Sequence, residues 1–257
     1  MNEQRYPLLE ELHVLRTSAL CNIRDRAFDA LPLYYEDYSD GIVSGCRLRT
    51  NQDAITVRPG IVRYDGFMYF LREPMTISYA PTEEYRMLKL KFGMPEESES
   101  FLTRSLRLEL SDDMAVQENE MEFCRFKLKA GAVLRTKYVD FFDRMTEFDT
   151  VNFISAPYAA VGRSTLHPEI LMAFATEAME YRLDPLDQSF CVVALQNLPI
   201  AYEQIVFYLC HRLRVERQEW DNMGLYGGLC TALEEIKRNG RREVRQARRG
   251  RREVMVD

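Results

Sequence analysis

The sequence predicts an α+β fold: an N-terminal helix, a small antiparallel β-sandwich or barrel-like module (one or two of them), and a C-terminal helical bundle. Three observations carry this expectation. Residues 8–31 repeat apolar side chains every three or four positions. From Ile55 to Lys129, apolar and polar residues alternate in short runs closed by glycine, proline or acidic turns, which is the period of strands. At about Thr136 the period changes to that of helices and holds to Arg238. The implied segments are 1–32, 33–135 and 136–239, followed by a basic arm at 240–257.

In the first segment Leu8, Leu12, Leu15, Ala19, Ile23 and Ala27 make one stripe, with Glu10, Glu11, Arg16, Arg24 and Asp25 mostly off it. Pro7 suits a first turn, and Leu31-Pro32 is expected to end the helix. Such a helix has to bury its apolar face on its own chain or on the same helix of another copy. An aromatic and acidic link follows. Tyr34, Tyr35 and Tyr38 can bury ring faces while their hydroxyls stay wet. With Leu8, Leu12 and Leu15 they are the candidate oligomer contacts.

The stretch Asp40–Leu71 is the most legible part of the strand region. Gly41 and Gly45 bracket its start, Asn51-Gln52-Asp53 is a polar turn, and Ile55 and Val57 alternate with Thr56 and Arg58. Pro59-Gly60 turns into Val62 and Tyr64. Asp65-Gly66 then gives a hairpin corner, since both of its residues tolerate positive φ. Phe67–Leu71 is continuously apolar, as in a strand covered on both faces. Met75, Ile77 and Tyr79 alternate again after Pro74. Leu88, Leu90 and Phe92, then Leu106, Leu108 and Leu110, then Cys124, Phe126 and Leu128 complete the pattern. The interleaved Lys89, Lys91, Arg107, Glu109, Arg125, Lys127 and Lys129 are expected on solvated faces that discourage edge pairing.

The helical part begins with a short helix-like run at Tyr138–Phe148 and an apolar connection, Phe153–Gly162, containing Pro157. Pro168 opens a helix with Ile170, Leu171, Phe174, Ala175, Ala178 and Met179 on its buried face. Asp184-Pro185 starts a second, through Leu186, Phe190 and Val193, and Leu198-Pro199 breaks it. A third carries Tyr202, Ile205, Val206, Leu209 and Leu213. A fourth runs from about Trp220 to Arg238 through Met223, Tyr226, Leu229, Cys230, Leu233 and Ile236. Short joints marked by proline fit a small bundle. Gly224-Leu-Tyr-Gly-Gly228 lies inside the last periodic run, where close helix packing or a local kink explains it better than a phosphate loop.

Composition and motifs narrow the function classes. The chain has 257 residues, 46% hydrophobic and 29% charged, and a formal charge of −6. The arm at 240–257 holds Arg241, Arg242, Arg245, Arg248, Arg249, Arg251 and Arg252 against Glu243, Glu253 and Asp257, a net +4. Residues 1–239 therefore carry −10, which gives no reason to expect a nucleic-acid groove in the body. The arm repeats Gly-Arg-Arg-Glu-Val at 240–244 and 250–254 and reads as a segment that docks on an acidic surface, a protein in preference to a phosphate backbone. Six cysteines, at 21, 46, 124, 191, 210 and 230, include no CxxC and read as small buried hydrophobes in a reducing compartment. The N-terminus lacks the layout of a signal peptide, and no apolar run approaches the roughly 20 residues that span a bilayer. The expectation is a chain made and folded in a cytoplasm.

Signs of catalysis are lacking in the sequence. His13, His167 and His211 stand outside any HExxH or Cys/His ligand spacing, and the GxxxxGK[ST], GxGxxG and GxSxG patterns are absent. The paired carboxylates Glu83-Glu84, Glu96-Glu97 and Asp112-Asp113 fall in hydrophilic loops, where nothing would shift a pKa for acid–base work. The expectation is therefore no enzyme, no cofactor and no metal.

One run carries a resemblance. Gly41, Val43, Ser44, Gly45, Ile55, Val57, Pro59, Gly60, Asp65 and Gly66 resemble the "G-V-V-S-G … V-x-V-x-P-G … D/N-G" module of bacteriophage tail and tailocin baseplate or tail-fibre proteins. Glu122–Arg135 and the helical remainder look like proteins of the tail modules of Firmicute prophages. The resemblance implies a structural subunit of a phage tail or phage-derived particle, in the baseplate or attaching tail fibres. Other tail or baseplate proteins would be its partners, and it would form a homo-oligomer on a virion tail assembled in the bacterial cytoplasm. The alternative is a nucleic-acid-associated regulatory or packaging protein acting through the arginine arm.

Overall fold

Alternating residues from Gly41 to Lys127 build eleven short strands, and the chain is then helical from Pro168 to Asn239. A computed structural model describes Tyr6, Pro7, Val14 and residues 16–240. The fold is α+β, with an N-terminal helix, antiparallel sheets and a C-terminal helical region.

Helix α1 spans Thr17–Tyr34. It passes through Pro32, the residue expected to stop it. Proline there forfeits only its own bond, and the ladder resumes where Tyr35 N donates to Leu31 O at 3.1 Å. Leu8, Leu12 and Leu15 lie outside the described residues, as does the arm with its seven arginines.

The strands form three three-stranded sheets and one two-stranded ribbon. The first sheet has the order β1 (Gly41–Gly45), β4 (Gly60–Tyr64), β5 (Phe67–Leu71). The second is β2 (Leu48–Thr50), β3 (Ala54–Val57), β6 (Met75–Ser78). In the third, β7 (Tyr85–Phe92) lies between β10 (Leu106–Ser111) and β11 (Glu120–Lys127). A ribbon of β8 (Glu96–Glu97) and β9 (Leu102–Thr103) closes the acidic loop. The β4–β5 corner is the expected hairpin: Asp65 and Gly66 have φ of 49° and 73°, the two positive values of a type I′ turn. All three sheets send side chains into one core, including Ile42, Ile55, Val57, Val62, Leu71, Leu88, Leu90, Cys124 and Phe126.

Two features of the strand reading need correction. Lys89 is not on a solvated face but 1% exposed. Its Nζ donates to Ala115 O and to Glu120 Oε2 at 2.9 Å, because the chain after β10 folds back over β7. Glu120 also meets Lys91 at 2.9 Å. Burial opposes its charge, but the hydrogen bonds from Lys91, Lys89 and Gln117 N prevail and hold its carboxyl down to about 2. The second correction concerns β5, which is covered on one face only. Tyr69 and Leu71 are buried on the core face, Phe70 on the opposite face is 53% exposed, and Phe67 at the start of the strand is 40% exposed.

Between strands and helices the backbone is mostly irregular, and the helix-like run at 138–148 contributes only a single 3₁₀ turn at Phe142–Met145. Residues 150–165 are stitched sideways by isolated bridges: Arg125 with Asn152, Arg135 with Thr150, Ile42 with Tyr158, and Tyr38 with Val161. Phe153 packs against both the strand core and the helical core.

Helices α2 (Pro168–Ala178), α3 (Pro185–Ala194), α4 (Tyr202–Leu213) and α5 (Asn222–Asn239) start where the prolines and caps direct them. Asp184 accepts from Asp187 N and Asp221 from Gly224 N. A Cβ on Gly228 would lie 2.8 Å from Leu209 Cδ1, whereas one on Gly227 meets nothing within 4 Å. Close packing of α4 on α5 thus accounts for the second of these glycines. Gly227→Ala is expected to raise stability by about 0.5–1 kcal/mol through helix propensity. Gly228→Val is expected to lower it by about 1–3 kcal/mol through overpacking. Thermal unfolding of the two variants should move in opposite directions.

Candidate interaction surface

Within the described residues, no group of three or more His, Cys, Asp or Glu could hold a metal ion, and no helix is long and apolar enough to cross a membrane. The six cysteines are free thiols. Burial pushes Cys46 and Cys191 up to about 12 and Cys230 to about 11, so these are packing residues and not nucleophiles. His211 lies against Phe207 with ring centroids 4.0 Å apart. His167 caps α2, its Nδ1 accepting from Glu169 N at 3.1 Å. Phe153 and Tyr158 meet its ring edge-on. Burial first, then the positive charges of Arg47 and Arg144, push it down to about 4.

The conspicuous surface is apolar. α1 is 18 residues long and buries none of them. Leu20, Ile23, Ala27, Leu31 and Tyr34 recur at steps of three and four, so they share one stripe. Leu20 is 50% exposed, Phe28 71% and Tyr34 76%. An amphipathic helix draws most of its stability from burying that stripe, so α1 on its own chain leaves its main driving force unused. Its contact with the body is with β5, the edge strand that carries the exposed Phe67 and Phe70. Arg104 lies over the Phe67 ring, 3.2 Å from its centroid.

The three tyrosines expected as contacts are brought together. Tyr34 and Tyr35 meet edge-on at 5.0 Å, and Tyr35 and Tyr38 at 4.9 Å. They differ in exposure. Tyr34 faces solvent, while Tyr35 and Tyr38 are half-buried at the root of α1, where Ser39 N donates to Ala160 O at 2.9 Å. The continuous apolar run of β5 masks Phe67 and Phe70 as part of a strand covered on both faces. The signal for Phe70 is alternation: it stands out of phase with Tyr69 and Leu71, which are buried.

A second exposed group surrounds the acidic ribbon. Met94, Phe101 and Leu102 are 74%, 73% and 63% exposed around Glu96 and Glu97.

No family model matches this chain. No curated protein matches it. Among solved structures it is similar to a crystal structure of TssK, with 8% sequence identity and a TM-score of 0.39, over 92% of this chain and 72% of that one.

Proposed function

We propose that this chain is a structural subunit of a phage tail or phage-derived particle, placed in the baseplate or attaching tail fibres, and that it works through protein–protein contacts in a symmetric assembly. The observation that carries the proposal is α1: an 18-residue helix with no residue buried on its own chain, whose exposed side chains include Leu20, Ile23 and Phe28. Exposed apolar area of this kind marks an interface. The glycine-turn module of Gly41–Gly66 supplies the kind of assembly. In this reading 1–32 and the tyrosine link are contact elements, 33–135 and 136–239 are the body, and Arg241–Arg252 dock on an acidic neighbour.

Light scattering on the purified chain, alone and mixed with the tail proteins encoded beside it, tests this. The expected result is a homo-oligomer or a stable complex. Joint substitution of Leu20, Ile23 and Phe28 by glutamate should reduce it to monomer with an unchanged far-ultraviolet spectrum. Monomers under every condition would sink the proposal. The competing reading, a nucleic-acid-associated protein, would show instead as DNA or RNA retention that weakens steeply with salt and disappears on removal of residues 240–257.

A further inference from the structure

Charged side chains on the strands are mostly paired. Arg63 meets Asp40 at 2.8 Å, Lys91 meets Glu109 at 2.7 Å, Arg125 meets Glu122 at 2.6 Å and Lys127 meets Glu147 at 2.8 Å. Arg47, Arg49 and Arg58 break this rule. They come from the β1–β2 connection, β2 and the β3–β4 turn, and all three line a single cleft of about 270 Å³. Among the described residues none of the three has a carboxylate partner, in a body whose formal charge is negative. Three like charges gathered against a single carboxylate repel one another, and an anion bound among them relieves that repulsion.

The rest of the cleft completes a binding site. His167 lies on its wall with Nδ1 occupied by the Glu169 amide, which leaves the ring proton of the neutral imidazole on Nε2 as a donor. Phe123 and Phe153 supply apolar wall. Glu169 is the one carboxylate of the lining, so with His167 neutral the cleft carries a net charge of +2 from its three arginines and one glutamate. Guanidinium forks match planar and tetrahedral oxyanions by paired hydrogen bonds, which a point-charge lysine does not reproduce. At about 270 Å³ the space falls just below the range of drug-sized ligands, roughly 300–1,000 Å³.

We propose that the cleft lined by Arg47, Arg49, Arg58 and His167 is a binding site for a small oxyanion, a phosphate or carboxylate group carried on a short apolar stem. Neither α1 nor β5 contributes to it, so the titration below and the oligomer test of α1 can fail separately.

Calorimetric titration of the full chain at low ionic strength, with inorganic phosphate in one arm and citrate in the other, tests it against chloride of matched ionic strength. Saturable binding in at least one arm is expected. Selectivity for phosphate identifies a phosphate ester, selectivity for citrate identifies a carboxylate, and comparable binding identifies a general oxyanion site. Arg47→Ala with Arg58→Ala should weaken that binding about tenfold or more, because two solvent-screened charges are removed together. Both side chains are exposed, so a matching thermal melt will confirm that the variant is folded. Arg107→Ala, on β10 and outside the cleft, should leave binding unchanged. Binding in neither arm above the chloride control, or a double variant that binds like the parent, would overturn the proposal.

Discussion

Replacing Gly60 by alanine is expected to lower stability by about 3 kcal/mol or more, among the larger effects of a single methyl group anywhere in the chain. Gly60 pairs with Gly45 across β1 and β4. A Cβ on Gly60 would lie 2.3 Å from Cys46 N and 2.5 Å from Ser44 O, and one on Gly45 would lie 2.4 Å from Pro59 O. These obstacles are backbone atoms, which cannot swing aside as a side chain can. The two strands would have to separate where Cys46 N donates to Pro59 O, and Cys46 itself belongs to the core. Gly66→Ala is the control. Nothing stands within 4 Å of its Cβ, and its positive φ of 73° costs only about 1–2 kcal/mol. Urea denaturation of both variants checks the order, and a Gly60→Ala protein as stable as Gly66→Ala would refute the close approach of β1 and β4.

Asp187→Ala is expected to cost about 3–5 kcal/mol, because it strands a buried partner. Asp187 is 2% exposed, in the first turn of α3. Its Oδ1 accepts from Tyr208 Oη at 2.8 Å and from Arg212 Nε at 3.0 Å. Arg212 Nη1 also reaches Glu235 at 2.8 Å, so one chain of bonds ties α3 to α4 and α5. Burial raises the pKa of Asp187 above the ordinary range, opposed by the hydrogen bond from Tyr208 and the charge of Arg212. Asp187→Asn keeps an acceptor for the phenol and should lose less, about 1–2 kcal/mol. A double-mutant cycle of Asp187→Ala with Tyr208→Phe should return a coupling of about 1–3 kcal/mol. Additive losses would show that the two groups do not depend on each other.

Local signals carried most of the elements. Asp65-Gly66 announced its hairpin because its chemistry sits in two adjacent residues. Pro168, Asp184-Pro185 and Leu198-Pro199 placed helix ends to within a few residues for the same reason. What stayed hidden was set by contacts distant in sequence. The alternation of β7 assigns Lys89 to water, and only the return of the chain through Ala115 and Glu120 buries it. The bridges of residues 150–165 pair Ile42 with Tyr158 and Tyr38 with Val161, which no periodicity reports. The arginine cleft is of the same kind. Arg58 reads singly as an outward residue beside Val57, and its convergence with Arg47, Arg49 and His167 exists only once the strands and α2 are assembled. Of the stripe expected for the first helix, Ala19, Ile23 and Ala27 fall in α1, Leu8, Leu12 and Leu15 lie outside the described residues, and Leu20, Leu31 and Tyr34 are not among its expected members.

The root of α1 has a mechanical consequence. At about 1.5 Å per residue, its 18 residues make an arm about 27 Å long. The arm is fastened where Tyr38 bridges to Val161 and Ser39 N bonds to Ala160 O, on the strip of chain that leads from the strand core to the helical core. A pull on α1 is thus delivered at the seam between two packed bodies and shared by both. It is not spent on extending a slack tether.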